Sequence, residues 1–157
     1  MANVFNVAKR GMIDGTIDMD TNTFEVLLFT TSPAADLSDA QLDLTTVAGV
    51  EADAAFAEAT HASYTANGTS GRITLGAVTA STDNPNNRAE VDAADITYTA
   101  LNSFTITGVL MYKRVGTAGP AGDATHIPVA YYNVADTVCN GGDVIIQWNA
   151  EGFLHLT

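Results

Sequence analysis

Ser103-Phe104-Thr105-Ile106-Thr107-Gly108-Val109-Leu110-Met111-Tyr112 is the longest strand-like run in the chain, with threonines alternating against Phe104 and Ile106. A period of two is the mark of a strand that buries one face. The same texture continues outward in both directions. Downstream, Ile127-Pro128-Val129-Ala130-Tyr131-Tyr132 reads as an edge strand, because proline cannot donate to a ladder on both sides. The turn Asn140-Gly141-Gly142 then leads into a last strand that places Val144, Ile146 and Trp148 on one face. Upstream, Asp95-Ile96-Thr97-Tyr98-Thr99, Ala89-Glu90-Val91 and the run from Arg72 to Val78 read as shorter strands. The last two are divided by the loop Ser81-Thr82-Asp83-Asn84-Pro85-Asn86-Asn87. Between the strands on either side of it, the glycine-rich segment 116–122 reads as a mobile loop.

Further upstream, Phe24-Glu25-Val26-Leu27-Leu28-Phe29-Thr30-Thr31 is apolar on both faces apart from Glu25, which predicts a central strand. Segment 36–58 is acidic, alanine-rich and poorly periodic; Leu37, Leu42, Leu44, Val47 and Val50 suggest one or two short helices or a covering loop. The 3–14 segment reads as a short helix, with Val4, Phe5, Val7, Ala8 and Met12 at near-helical spacing and Gly15 placed to end it. The expected fold is therefore mainly β, an antiparallel β-sandwich or jelly-roll-like barrel with a short N-terminal helix. One domain spans 1–157: helix 3–14, a mixed or loop segment 32–70, and a β-rich part 71–157.

At 157 residues, 46% hydrophobic and 15% charged, the chain is long enough to bury one sizeable core. It carries 18 acidic against 6 basic residues, a formal net charge of −12. Lys9, Arg10, Arg72, Arg88, Lys113 and Arg114 form no cluster larger than two, which argues against nucleic acid and against an anionic membrane surface as partners. Asn3, Asn6, Lys9 and Arg10 interrupt any apolar leader, so folding in a cytoplasm is expected. Cys139 is the single cysteine and reads as a small side chain beside the Asn140-Gly141-Gly142 turn.

Signals for chemistry are sparse. His61, His126 and His155 have no companion at metal-ligand spacing and read as surface or turn histidines. Gly68-Thr69-Ser70-Gly71 lacks the lysine and the following helix of a phosphate cradle and reads as a loop. Asp18-x-Asp20-x-Asn22 resembles the start of a calcium loop, making Asp18, Asp20 and Asn22 the one candidate metal set. Thr23 and Phe29 stand where such a loop needs glycine and a bidentate glutamate, so the alternative is an Asx-type turn between helix and strand. No cofactor and no catalytic residue is expected.

Three stretches carry a family likeness. They are the opening Met1-Ala2-Asn3-Val4-Phe5-Asn6-Val7-Ala8-Lys9-Arg10-Gly11-Met12-Ile13-Asp14-Gly15-Thr16-Ile17-Asp18, the middle Asn87-Arg88-Ala89-Glu90-Val91-Asp92-Ala93-Ala94-Asp95-Ile96-Thr97-Tyr98-Thr99-Ala100-Leu101, and the closing Gly141-Gly142-Asp143-Val144-Ile145-Ile146-Gln147-Trp148-Asn149-Ala150-Glu151-Gly152. Together they resemble small virion structural proteins of tailed bacteriophages. The resemblance implies a non-enzymatic capsid decoration ("cement") protein, made in the host bacterial cytoplasm and bound to the outer surface of the major capsid protein shell, with a homotrimer as the usual assembly. Comparable β-rich proteins occur in tails, baseplates and fibres, where a structural or receptor-binding module is the alternative. For a cement role, Phe5, Lys9, Arg10, Tyr131 and Tyr132 are the expected contact residues, since aromatic and basic groups are favoured in interfaces.

Overall fold

In chain order the elements are β1 (Asn3–Val4), α1 (Asn6–Asp14), β2 (Phe24–Thr31), α2 (Asp39–Leu42), α3 (Val47–Ala52), β3 (Ala57–Glu58), β4 (Ile73–Thr74) and β5 (Thr79–Asp83). They continue with β6 (Arg88–Asp92), β7 (Ile96–Tyr98), β8 (Asn102–Lys113), β9 (Ile127–Asn140), β10 (Val144–Ile146) and β11 (Leu154–Leu156). The computed structural model describes residues 3–34, 36–65, 71–149 and 152–156. The fold is mainly β, its sheets antiparallel, with few and short helices.

The main sheet has the order β1-β9-β8-β2-β3, with β4 also paired to β2. In it β2 is an interior strand, between β8 and the short β3 and β4, as expected of a strand buried at its first six positions. Register shows how both faces are covered. Glu25, Leu27 and Phe29 of β2 lie opposite Tyr112, Leu110 and Gly108 of β8, and Tyr131 of β9 lies opposite Leu110. On this face Phe56 packs against Phe29 and Tyr131, with ring centroids 5.0 and 5.6 Å apart. Val26 and Leu28 present the other face, with Val109 and Tyr132 in register. There the Tyr98 hydroxyl donates to the Val26 carbonyl at 3.3 Å, and Trp148 packs on Tyr132 at 5.6 Å. The remaining strands form two small sheets, β10-β7 and β11-β6-β5.

Several expectations are corrected. The helix begins at Asn6, not at residue 3. Asn3 and Val4 instead pair with Tyr131 and Ala130, and the Phe5 amide donates to the Val129 carbonyl at 3.1 Å. No side chain caps the first turn of α1, so the ladder groups offered by β9 are the better partners for this backbone. The helix ends at Gly15, which takes the left-handed conformation at φ 78°.

β9 is not an edge strand. It runs 14 residues, longer than β8, between β1 and β8. Pro128 is tolerated because it lies beyond the residues paired with β1 and where the β8 register shifts, between Met111 and Tyr112. The predicted 81–87 loop is shorter than expected: Ser81–Asp83 belong to β5, and a 3₁₀ turn at Asn84–Asn86 closes the β5–β6 hairpin. The predicted strand from Arg72 to Val78 is reduced to two residues, β4. The closing segment is two strands in two different sheets, with Trp148 between them and half-buried. The 116–122 loop contains a 3₁₀ turn at Pro120–Gly122 with Gly122 buried. Among the described residues no helix is long and apolar enough to cross a membrane.

Candidate functional site

The strongest concentration of charge inside the molecule surrounds Arg72. This residue precedes β4 on the outer edge of β2, where β3 also pairs, so Glu58 of β3 comes alongside it. The guanidinium Nε donates to Glu58 Oε1 at 2.9 Å and Nη2 to Glu58 Oε2 at 2.7 Å, a bidentate fork. Nη2 also reaches Glu51 of α3 at 2.5 Å and Asp123 Oδ2 at 3.1 Å, while Nη1 donates to Asp123 Oδ1. The Arg72 side chain is 1% exposed. Burial opposes its charge, but the hydrogen bonds to Glu58 and Asp123 outweigh that and hold it protonated well above its ordinary range.

A second layer of polar contacts encloses this cluster. The Arg72 guanidinium lies 5.6 Å from the Tyr112 ring centroid, and His126 stacks on Tyr112 at 5.0 Å. The Tyr112 hydroxyl donates to Glu25 Oε2 at 2.5 Å, and Arg114 pairs with Glu25 Oε1 at 2.9 Å. Thus the one polar residue that interrupted the central strand is satisfied by its cross-strand neighbour. The loop before β9 is tied to α3: the Val47 and Ala48 amides donate to the carbonyls of His126 and Asp123. These bonds position Glu51 and Asp123 on either side of one guanidinium. Through Arg72 the hydrogen bonds join β3, α3 and the β8–β9 loop, and the guanidinium packs on the Tyr112 ring of β8, which makes the cluster a strut.

Three carboxylates around one guanidinium leave an excess of negative charge. Burial, with a hydrogen bond to Glu58 and the charge of Asp123, pushes the Glu51 carboxyl up to about 8 against the lowering pull of Arg72. A group whose pKa is raised on folding contributes stability that is complete below its unfolded value, 4.5 here, and lost as pH rises through the folded value. Thermal stability should therefore decline between pH 5 and pH 8, and Glu51→Gln should flatten that decline. Melting temperatures of both proteins across this range test it; parallel pH profiles would refute the assignment.

The expected site residues separate. Asp18, Asp20 and Asn22 form the Asx-type turn: the Asp18 amide donates to Asn22 Oδ1, the Asp20 amide to Asp18 Oδ1, and the Ala80 amide to Asp20 Oδ1. Among the described residues no group of His, Cys, Asp or Glu is arranged to hold a metal. Of the five expected contact residues, Phe5 and Tyr131 are fully buried and cannot meet a partner. Phe5 is drawn in by its bond to β9, and Tyr131 closes the ring cluster with Phe29 and Phe56, its hydroxyl donating to the Pro33 carbonyl at 2.6 Å. Tyr132 is half-buried against Trp148, and its hydroxyl donates to the Phe153 carbonyl. Lys9 and Arg10 are exposed.

His126, expected at the surface or in a turn, directly follows the 123–125 turn but is fully buried, its Nδ1 accepting from the Val115 amide at 3.0 Å. His61 is half-buried in a turn, where its Nδ1 accepts from the Ser63 amide. The predicted loop positions 68–70 and the side chain of His155 lie outside the described residues. Cys139 is buried opposite Phe104 in the β8–β9 ladder.

The open surface lies at the far end of the β8–β9 hairpin. Beyond Tyr131, none of the described strands pairs with the side of β9 away from β8. Val138 there is 69% exposed, and Ile145 on β10 is 60% exposed. An open groove of about 470 Å³ runs along Ile145, lined also by Ile106, Val134, Thr137 and Ile146. No family model, curated protein or solved structure matches the chain.

Proposed function

We propose that this chain is a structural protein of a tailed bacteriophage virion, a decoration protein bound to the outer surface of the major capsid protein shell. The resemblance of the three sequence stretches carries this reading. The surface supports it with an attachment site of suitable chemistry, the outer 133–140 edge of β9 that no described strand pairs, with exposed Val138 on it and the groove along Ile145 nearby. An exposed edge takes an extended segment of another protein by strand addition, with main-chain hydrogen bonds for affinity and the groove for side-chain selection. The occupant in this reading is an extended segment of the capsid protein. A shell repeats each joint many times, so a modest energy per contact is multiplied into resistance to internal pressure.

Particles lacking the protein should assemble yet release DNA at lower temperature, and purified protein added back should restore resistance in a saturable way. Val138→Lys, at an exposed position, should leave folding intact and abolish rebinding. Particles that are equally robust without the protein but fail to adsorb or eject would replace this reading with a tail or receptor-binding module.

A further inference from the structure

Four of the six basic side chains are engaged within the molecule. Arg72 is in the buried cluster, Arg114 is on Glu25, Arg88 bridges Asp83 and Glu90, and Lys113 donates to the Thr16 carbonyl. The other two, Lys9 and Arg10, are exposed on α1. They stand four and three residues before Ile13, hence on one helix face with it. Ile13 is 88% exposed, more than Val138 or Ile145. The local partners of the two cations are weak: Asn6 for Lys9 at 3.1 Å, and Asp14 at 3.5 Å from an Arg10 side chain that is 85% exposed. The helix thus presents an apolar knob flanked by two cations on a molecule of net charge −12.

The complement of that knob lies beside it. A cleft of about 360 Å³ has a floor of Ile17, Met19, Val91 and Leu154, all buried. Its mouth carries Asp18 and Asp20, which are exposed, and the half-buried Glu90. The volume is at the small end for a ligand site, and the charged side chains at its mouth are carboxylates, so it suits an apolar guest flanked by positive charge. Each of these two carboxylates accepts a backbone amide, from Asp20 and from Ala80, and both residues remain exposed, so the turn holds their charge at the surface.

We infer that α1 of a second copy of this chain docks here, Ile13 entering the cleft and Lys9 and Arg10 meeting Asp18 and Asp20. Met12 and Gly15 of α1 line the cleft themselves, so knob and cleft adjoin on one face. A reciprocal two-fold pair therefore fills both clefts at once, in place of the homotrimer that the resemblance implies. Charge complementarity selects this partner, because the chain itself bears the apolar, doubly cationic element that the acidic cleft requires.

Sedimentation and light scattering of the purified protein test this without any particle, so failure here leaves the shell-binding proposal standing, and failure of that proposal leaves this one. The expected mass is twice 16.4 kDa, with dissociation promoted by salt. Ile13→Asp should weaken the pair by on the order of thirty-fold or more while leaving the monomer's unfolding unchanged. Arg10→Gln should weaken it roughly five-fold. Asp18→Asn with Asp20→Asn, which keeps the turn's acceptor oxygens, should do the same, and combining both changes should add little. A monomer at all concentrations, an assembly of another size, or one indifferent to Ile13→Asp overturns the inference.

Discussion

Arg72→Leu is expected to lower the unfolding free energy by about 3–5 kcal/mol, because it strands Glu51, Glu58 and Asp123 around an apolar side chain. The cost arises less from the lost attraction than from leaving buried carboxylates without their hydrogen-bond donors. Arg72→Lys should lie between the two, since an ammonium keeps the charge but not the fork that binds Glu58 at two oxygens. The defect should ease in acid, where protonation removes the repulsion among the carboxylates. Urea unfolding of the variants at neutral and acidic pH is the measurement. Wild-type stability in Arg72→Leu would mean that the cluster holds nothing together.

Tyr131→Ala should cost a similar amount, about 3–5 kcal/mol, by opening a cavity among Phe29, Phe56 and Gly108. The ring rests on the bare backbone of Gly108, where an added Cβ would stand 2.7 Å from Tyr131 Cε2. Neighbouring atoms therefore cannot collapse into the space without moving strands that are paired on both sides. Tyr131→Phe loses the hydroxyl's bonds to the Pro33 carbonyl and to Ser32 and should cost about 1 kcal/mol. Thermal melts distinguish these from a surface role, under which Tyr131→Ala would leave stability unchanged and alter only partner binding.

The two effects share a cause. Tyr131 and Arg72 both belong to residue types favoured at interfaces, yet both are buried inside the monomer. Composition says that a residue can serve an interface; burial decides whether it is available. Lys9 and Arg10 remain available because α1 has one face on the protein, marked by buried Ala8 and Gly11, and its other face in solvent. The acidic turn at Asp18 and Asp20 was readable as a turn from spacing alone. Its place at the mouth of an apolar cleft depends on Val91 and Leu154 arriving from strands far along the chain.

By itself the amino-acid sequence determined the local features: the apolar run of β2, the alternation around Phe104 and Ile106, and the turn residues between strands, while in 36–58 it left short helices and a covering loop as alternatives. These follow from side-chain periodicity and backbone preferences, which act over a few residues. Tertiary structure alone decided which strands became neighbours. Backbone hydrogen bonds carry no sequence label, so the capture of Asn3–Val4 by β9 and its extension through polar residues to Asn140 were settled by the register of segments far apart. The same long-range pairing brought Glu51, Glu58, Arg72 and Asp123 together, and no spacing in the chain announces a cluster whose members meet only when four elements close over one guanidinium.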